Sequence, residues 1–345
     1  MTETPKASAI YDSNKPSMDS LRDILIPLIQ NQIISEGIDF HHISGRVKDR
    51  NSYLEKVERK GYKNPILDVT DFCGIRIITF FPSQVFSISK LLRDIFEIDE
   101  GNSTDKIQEL GDSKVGYQSV HLVGKLGATR KYIPEYKNLA DLQFEIQIRT
   151  ILQHAWAELV HDGSYKFSGE LPPKLQRKLN LQAGALELVD EQLEEISQSI
   201  KDYEVEIESS KEKRDSEGLN ALSLERLYLD VISQEKSDQS YSTKGFKNEI
   251  RELRDFGVQS IGELSTFITE DLRSFWQSEE STTPLGFVRQ ILMEKDIEKY
   301  FESSYNDDWS VLDAPSFERL SETFGQSKVI EILDKHGIEI ETDFD

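Results

Sequence analysis

Four short clusters in the first half of this 345-residue chain gather side chains that handle phosphate, divalent metal and an aromatic base. The first runs Arg46-Val-Lys48-Asp-Arg50-Asn-Ser52-Tyr-Leu-Glu-Lys56, where Ser52 suits a helix N-cap and Lys56 falls one turn later on the same face. Cations gathered at a helix N-terminus make an anion site, because unpaired N–H groups and the helix dipole add to their charge. The same run also reads as a solvated basic face. The second is Asp68-Val-Thr-Asp71-Phe-Cys-Gly74-Ile-Arg76. An acid at a strand end, a glycine that permits close approach and an arginine on the next strand suit Mg²⁺ and a phosphate held side by side. A turn acid with a salt-bridged arginine has the same spelling. Cys73 reads as a small buried hydrophobe, since no base stands beside it in the sequence.

The third cluster is Lys114-Val-Gly116-Tyr117-Gln118-Ser119-Val-His121. A ring leading a strand, with glycine and lysine before it, suits stacking on a base while the lysine meets phosphates; a packed tyrosine after a turn glycine is the structural alternative. The fourth is Glu145-Ile-Gln147-Ile-Arg149-Thr150, running into His154-Ala-Trp156-Ala-Glu158-Leu-Val-His161. A carboxylate flanked on its own face by Gln147 and Arg149 is placed to bind metal or take a proton. His154, Glu158 and His161 share a helix face, but the order is not HExxH, and capping or supporting hydrogen bonds suit both histidines better than zinc.

These clusters need a scaffold, and hydropathy periods outline it. A helix is expected over 19–37, with Leu21, Ile24, Leu25, Leu28, Ile29 and Ile33 at helical spacing, Gly37 as its stop and Pro27 as a kink. Residues 1–18 are polar, show no period and read as a flexible arm. Further helices are expected over 51–60, 83–96 and 150–161, and strands over 66–69, 74–81, 117–123 and 142–149. In the last, Leu142, Phe144, Ile146 and Ile148 face a core while Gln143, Glu145, Gln147 and Arg149 face away, a polar strand face suited to a cleft. Strands interleaved with helices imply an α/β or α+β domain on one sheet. Beyond it, Leu175, Leu179, Leu186, Val189, Leu193, Ile196 and Ile200 follow three-four spacing, a long helix whose seam packs on the domain or on another copy. The expected organisation is an arm (1–18), an α/β domain (19–170), a long helix and linker (171–215) and an acidic, mainly helical domain (216–345).

Charge divides the chain in the same place. Residues 1–170 hold 21 Lys+Arg and 24 Asp+Glu, whereas residues 171–345 hold 20 and 39. The acidic half repels polyanions within a Debye length, so an anion site belongs in the first half. No apolar run approaches the roughly 18 residues of a membrane helix. The start shows no basic-then-apolar secretory signal, and a single cysteine allows no internal disulfide or thiolate zinc site, so a cytoplasmic protein without membrane contact is expected.

Taken in order, Arg46-x-Lys48-x-x-x-Ser52-x-x-x-Lys56, Asp71-x-x-Gly74-Ile-Arg76, Gly116-Tyr117-Gln118-Ser119-x-His121, Glu145-x-Gln147-x-Arg149-Thr150 and Trp156-Ala-Glu158-x-x-His161 resemble the synthetase domain of the RelA/SpoT family across about residues 40–167. The resemblance implies a nucleotidyltransferase-like domain, a mixed β-sheet flanked by helices, that moves pyrophosphate from ATP to the 3′-hydroxyl of GTP or GDP to make alarmones. It places Arg46, Lys48, Ser52, Lys56 and Arg76 on ATP, and Asp71 and Glu145 on Mg²⁺ with Glu145 also as base. Tyr117 would lie on guanine, and Lys114, His121, Gln147 and Arg149 would line the acceptor site. In this chain Asp112-Ser-Lys114-Val-Gly116 stands where the family has Pro-Lys, two residues longer and with the lysine one position closer to the tyrosine. Acceptor choice therefore stays open between GTP, GDP and, as in toxic relatives, the 3′ end of tRNA. A nucleotide-sensing module without catalysis is the third reading, against which Asp71, Glu145 and Tyr117 stand together. About forty residues precede the domain, too few for the family's hydrolase domain, so alarmone hydrolysis is not expected. The helix over 171–200 is similar to those through which small synthetases assemble, implying a homo-oligomer, and a protein partner is expected for the C-terminal domain.

Overall fold

The computed structural model describes residues 4–105, 119–165, 171–232, 246–278 and 282–341, and the chain divides into two compact units, 1–197 and 198–345. The first helix, α1 (Thr4–Ser35), is longer than its hydropathy period suggests. Ala7, Tyr11 and Met18 are buried and carry the stripe of Leu21, Leu25, Ile29 and Ile33 back toward the N-terminus. The segment expected to be a flexible arm is therefore helical from Thr4; wide gaps between its few apolar residues hide the period. The Tyr11 ring lies 5.2 Å from Phe72 and 5.3 Å from Tyr53, and its hydroxyl donates to the Lys48 carbonyl at 3.0 Å. Gly37, at φ 65°, ends the helical path with its N–H on the Ile34 carbonyl.

Strands β1 (His42–Val47), β2 (Cys73–Thr79), β3 (Glu97–Ile98), β4 (Thr104–Asp105), β5 (Val120–Lys125) and β6 (Phe144–Thr150) form one sheet in the order β1-β2-β6-β5-β3, with β4 also on β5. β2 and β6 run parallel and the other pairs antiparallel, giving the mixed sheet that was expected. Helices α2 (Arg50–Lys60), α3 (Pro65–Asp68), α4 (Pro82–Ile95) and α5 (Ile151–Tyr165) connect or follow the strands. Residues 66–69, expected to be a strand, are instead largely the helical turn α3. Pro65 sits at its start, and the Asp68 carboxylate accepts from the Asn64 N–H at 2.8 Å, which closes the turn.

One face of the sheet is apolar. Ile75, Ile77, Ile146, Ile148 and Leu122 are buried, and each fully buried chain of this size contributes about 1.5–3 kcal/mol. Contact between α1 and β1 is so close that a Cβ at Gly45 would lie 2.8 Å from Arg22 Cγ and 2.9 Å from Ile75 Cδ1. The opposite face, carrying the alternate residues, is left for chemistry.

The long helix α6 (Pro173–Ser209) meets the first unit through a different face from the expected seam. Leu175, Val189, Leu193 and Ile196 are exposed, while Ala183 and Asp190 are buried. Thr150 Oγ1 donates to Asp190 Oδ2 at 2.6 Å, and the Ser83 N–H reaches Glu194 at 3.3 Å. The division between the units falls inside this helix. The linker expected at the end of 171–215 is largely helical, to Ser209 in α6 and again in α7 (Lys211–Ser216), with Ile207 and Arg214 buried.

The second unit is mainly helical: α8 (Ala221–Val231), α9 (Lys247–Phe256), α10 (Ile261–Phe267), α11 (Glu270–Ser278), α12 (Pro284–Lys295), α13 (Ile297–Ser303), α14 (Ala314–Phe324) and α15 (Gln326–His336), with β7 (Val311–Leu312) and β8 (Glu339–Ile340) paired in parallel. Gly325, whose φ of 88° no α-helix accommodates, separates α14 from α15. Its core holds Leu253, Phe287, Ile291 and Tyr300, together with a fully buried Glu252 that Arg289 Nη2 meets at 2.7 Å. Among the described residues no helix is long and apolar enough to cross a membrane.

Candidate active site

The sheet register assembles the site. Arg46 of β1 stands opposite Gly74 of β2, and Gly74 stands opposite Glu145 of β6; one step on, Ser44, Arg76, Gln147 and then His121 of β5 are aligned in the same way. Because strand side chains alternate, all of these project from the polar face. Gly74 lacks a side chain at the centre of the row, and an added Cβ would meet nothing closer than 3.9 Å. Ser44, Arg46, Asp71, Arg76, Glu145 and Gln147 accordingly line, with Gly74, a cavity of about 130 Å³.

Asp71 lies just before β2 and is held by both lysines of the first cluster: Lys48 Nζ is 2.7 Å from Oδ2 and Lys56 Nζ 2.8 Å from Oδ1. Lys56 reaches it because α2 starts at its Asp49 cap. The Asp49 side chain accepts from the Ser52 N–H at 3.0 Å, which makes Asp49 the N-cap in place of Ser52, three residues further in. Burial alone would raise the Asp71 carboxyl, but the hydrogen bonds from Lys48 and Lys56 outweigh it and hold the group below the usual range. Arg46, Lys48, Lys56, Arg76 and Asp71 thus converge as the sequence suggested, while Ser52 belongs to the helix start.

Glu145 sits in a chain of hydrogen bonds along the polar face. His121 Nδ1 is 3.1 Å from Glu145 Oε1, Gln147 Nε2 donates to the same oxygen at 2.7 Å, and Arg149 Nη2 donates to Gln147 Oε1 at 2.9 Å. Burial pushes the Glu145 carboxyl up, and the Asp71 charge adds to this, but the His121 and Gln147 bonds prevail and its pKa is lowered. Glu145 is therefore an ionised, half-buried carboxylate at neutral pH. Among the described residues the buried His121 Nε2 has no hydrogen-bond partner, so the site keeps an unmet polar atom beside its carboxylate.

Helix α5 supports the site from the end of β6. Glu158 Oε1 is 3.1 Å from Arg76 Nη1 and 3.7 Å from His154 Nδ1. Burial, then the Arg76 charge, hold the His154 imidazole below its ordinary range. Glu158 is thus an arginine partner. Lys114 and Tyr117 lie outside the described residues. Sequence reasoning missed Ser44, a small polar residue one strand step from Arg46, and Asp190, an acid that faces Thr150 from the flank of the apolar seam of α6, one turn from Leu186 and Leu193. For Ser44 the strand alternation through Arg46 was a usable signal; for Asp190 there was none.

The two carboxylates fit a hard cation. Asp71 and Glu145 line one cavity, feel each other's charge and offer oxygen donors only, the set with which Mg²⁺ binds together with substrate phosphates rather than in an all-protein cage.

Comparison with known proteins gives this geometry its context. The profile of a region found in RelA / SpoT proteins matches residues 45–170. The GTP pyrophosphokinase YjbM of Bacillus subtilis (strain 168) is 31% identical over 179 residues, 51% of this chain and 79% of that protein. GTP pyrophosphokinase YwaC of the same organism is 30% identical over 156 residues, 44% of this chain and 71% of that protein. The crystal structure of small alarmone synthetase 1 from Bacillus subtilis bound to its product pppGpp is 26% identical, covering 56% of this chain and 99% of its own at a TM-score of 0.46. On the identity and coverage of the two pyrophosphokinases, the chain belongs to the RelA/SpoT family, and the matched region, 45–170, contains Arg46, Asp71, Arg76, Glu145 and Gln147.

Proposed function

We propose that this chain is a GTP pyrophosphokinase, which transfers the β,γ-pyrophosphoryl group of ATP to the 3′-hydroxyl of GTP or GDP to make (p)ppGpp. The observation that carries the reading is the register that sets Arg46, Gly74 and Glu145 side by side, with Asp71, held by two lysines, lining the same cavity. In the reaction, the 3′-oxygen bonds to the β-phosphorus, the bond from that phosphorus to the α,β-bridging oxygen breaks, and AMP leaves. Glu145 takes the hydroxyl proton, a role open to it because it is ionised and oriented. Arg46, Arg76, Lys48 and Lys56 receive the phosphates, the lysines exchanging Asp71 for them, and spread the moving charge. Asp71 and Glu145 would hold Mg²⁺, which when bound neutralises phosphate charge and aligns the transferred group. Tyr117 and Lys114 belong to the acceptor side on this reading, with His121 offering its Nε2.

The exposed leucine seam of α6 suits pairing with a second copy, and nucleotide substrates put the enzyme in the cytoplasm. The test is incubation with γ-labelled ATP and, separately, GTP, GDP and tRNA. Label in a guanosine nucleotide with release of AMP supports the reading, whereas label in tRNA alone or in no acceptor overturns it.

A further inference from the structure

Gln147 presents a two-ended amide between opposite charges. Its Nε2 donates to Glu145 Oε1 at 2.7 Å, and its Oε1 accepts from Arg149 Nη2 at 2.9 Å. Turned over, the amide would set its oxygen against the carboxylate and its NH₂ against the guanidinium, two repulsive contacts in place of two attractive ones. Arg149 is buried, permanently charged and without an acceptor atom, so it admits only one orientation. The three residues stand at alternate positions of β6, a rigid central strand paired on both sides, so the chain is fixed by backbone geometry.

We infer that Arg149 is a positioning residue that acts on Glu145 through Gln147, by setting which end of the amide faces the carboxylate. With the amide so fixed, Oε1 of Glu145 receives two donors, from Gln147 and His121, and Oε2 is the oxygen that takes the proton from the acceptor hydroxyl. The inference rests on Glu145 as the base of the proposed reaction. It assigns Gln147 and Arg149 to orientation of that base, in place of the acceptor contacts implied by family resemblance.

The test is a double-mutant cycle in the full chain with Gln147→Met and Arg149→Met, reading kcat and acceptor KM separately, with Arg149→Lys as the conservative variant. Each single variant is expected to lose at least about tenfold in kcat while acceptor KM stays within about threefold, and the double variant is expected to lose no more than the worse single one. Arg149→Lys, which still donates to Gln147 Oε1, is expected to recover part of the loss. Multiplying losses, or a rise in acceptor KM, would overturn the inference and return both residues to direct acceptor contact. A crystal structure of Arg149→Met gives an arm independent of activity. There Gln147 is expected to leave Glu145, and an unchanged Gln147–Glu145 contact would overturn the inference. A wild-type protein that transfers nothing to GTP or GDP overturns the functional reading instead.

Discussion

Asp190 joins the long helix to β6, and its replacement separates a hydrogen bond from a charge. The residue is 3% exposed, and its Oδ2 accepts from the Thr150 hydroxyl, itself fully buried, at 2.6 Å. Asp190→Ala leaves that hydroxyl without an acceptor, at a cost of about 1–3 kcal/mol. Asp190→Asn retains an acceptor oxygen and removes the ionised form. Burial, then the Glu194 charge, raise the Asp190 carboxyl against the opposing Thr150 bond. A carboxyl raised on folding contributes stability at low pH that is lost as pH climbs through its folded value. Asp190→Asn should therefore equal or exceed the wild type at pH 8 and lose that advantage toward pH 4. Amide hydrogen exchange of β6, followed in the full chain, reads the local effect: Asp190→Ala should speed exchange over residues 146–150 by roughly 5- to 150-fold, matching that energy. Equal acceleration in the Asn and Ala variants, or an Asn effect that does not change with pH, would refute the reasoning.

Other substitutions test the site and its scaffold. Glu145→Gln keeps the shape but cannot take a proton, so transfer should fall by at least about a hundredfold with the thermal midpoint unchanged; activity within tenfold of wild type would remove Glu145 from its role. Gly74→Ala meets no atom nearer than 3.9 Å, so the fold should tolerate it, but the methyl enters the cavity between Arg46 and Glu145 and should raise the KM for ATP several-fold. An unchanged KM would show that ATP does not pass there. Cys73 is fully buried and its thiol is pushed up to about 12, chiefly by burial, so the native protein should resist a thiol reagent at pH 8 and react only on unfolding.

Much of the sheet was legible because strand alternation is a strong signal where one face is buried. The period of Phe144, Ile146 and Ile148 against Glu145, Gln147 and Arg149 is borne out by the described strand. The helical start of the chain was not legible, since Ala7, Tyr11 and Met18 are too few and too far apart to show a period, and the rings that Tyr11 packs against are distant in sequence. Ser52 misled because Asp49, three residues earlier, is an equally good cap and wins by its geometry. The strand expected over 66–69 failed for a local reason: Pro65 and the Asp68 carboxylate together favour a turn. In α6, periodicity identified the helix but not its buried side, because Asp190 bonds Thr150 of β6 and Glu194 the start of α4 while the leucine seam stays exposed. The hydrogen-bond chain from His121 to Arg149 spans two strands, and only their register reveals it.

The central claim is that Asp71, Glu145 and the cations around Gly74 serve pyrophosphate transfer to a guanosine nucleotide. Purified protein given γ-labelled ATP, Mg²⁺ and GTP or GDP should convert the acceptor to a labelled 3′-pyrophosphorylated product while releasing one AMP for each product formed. Release of ADP with a singly phosphorylated product, or no labelled guanosine nucleotide at all, would contradict it.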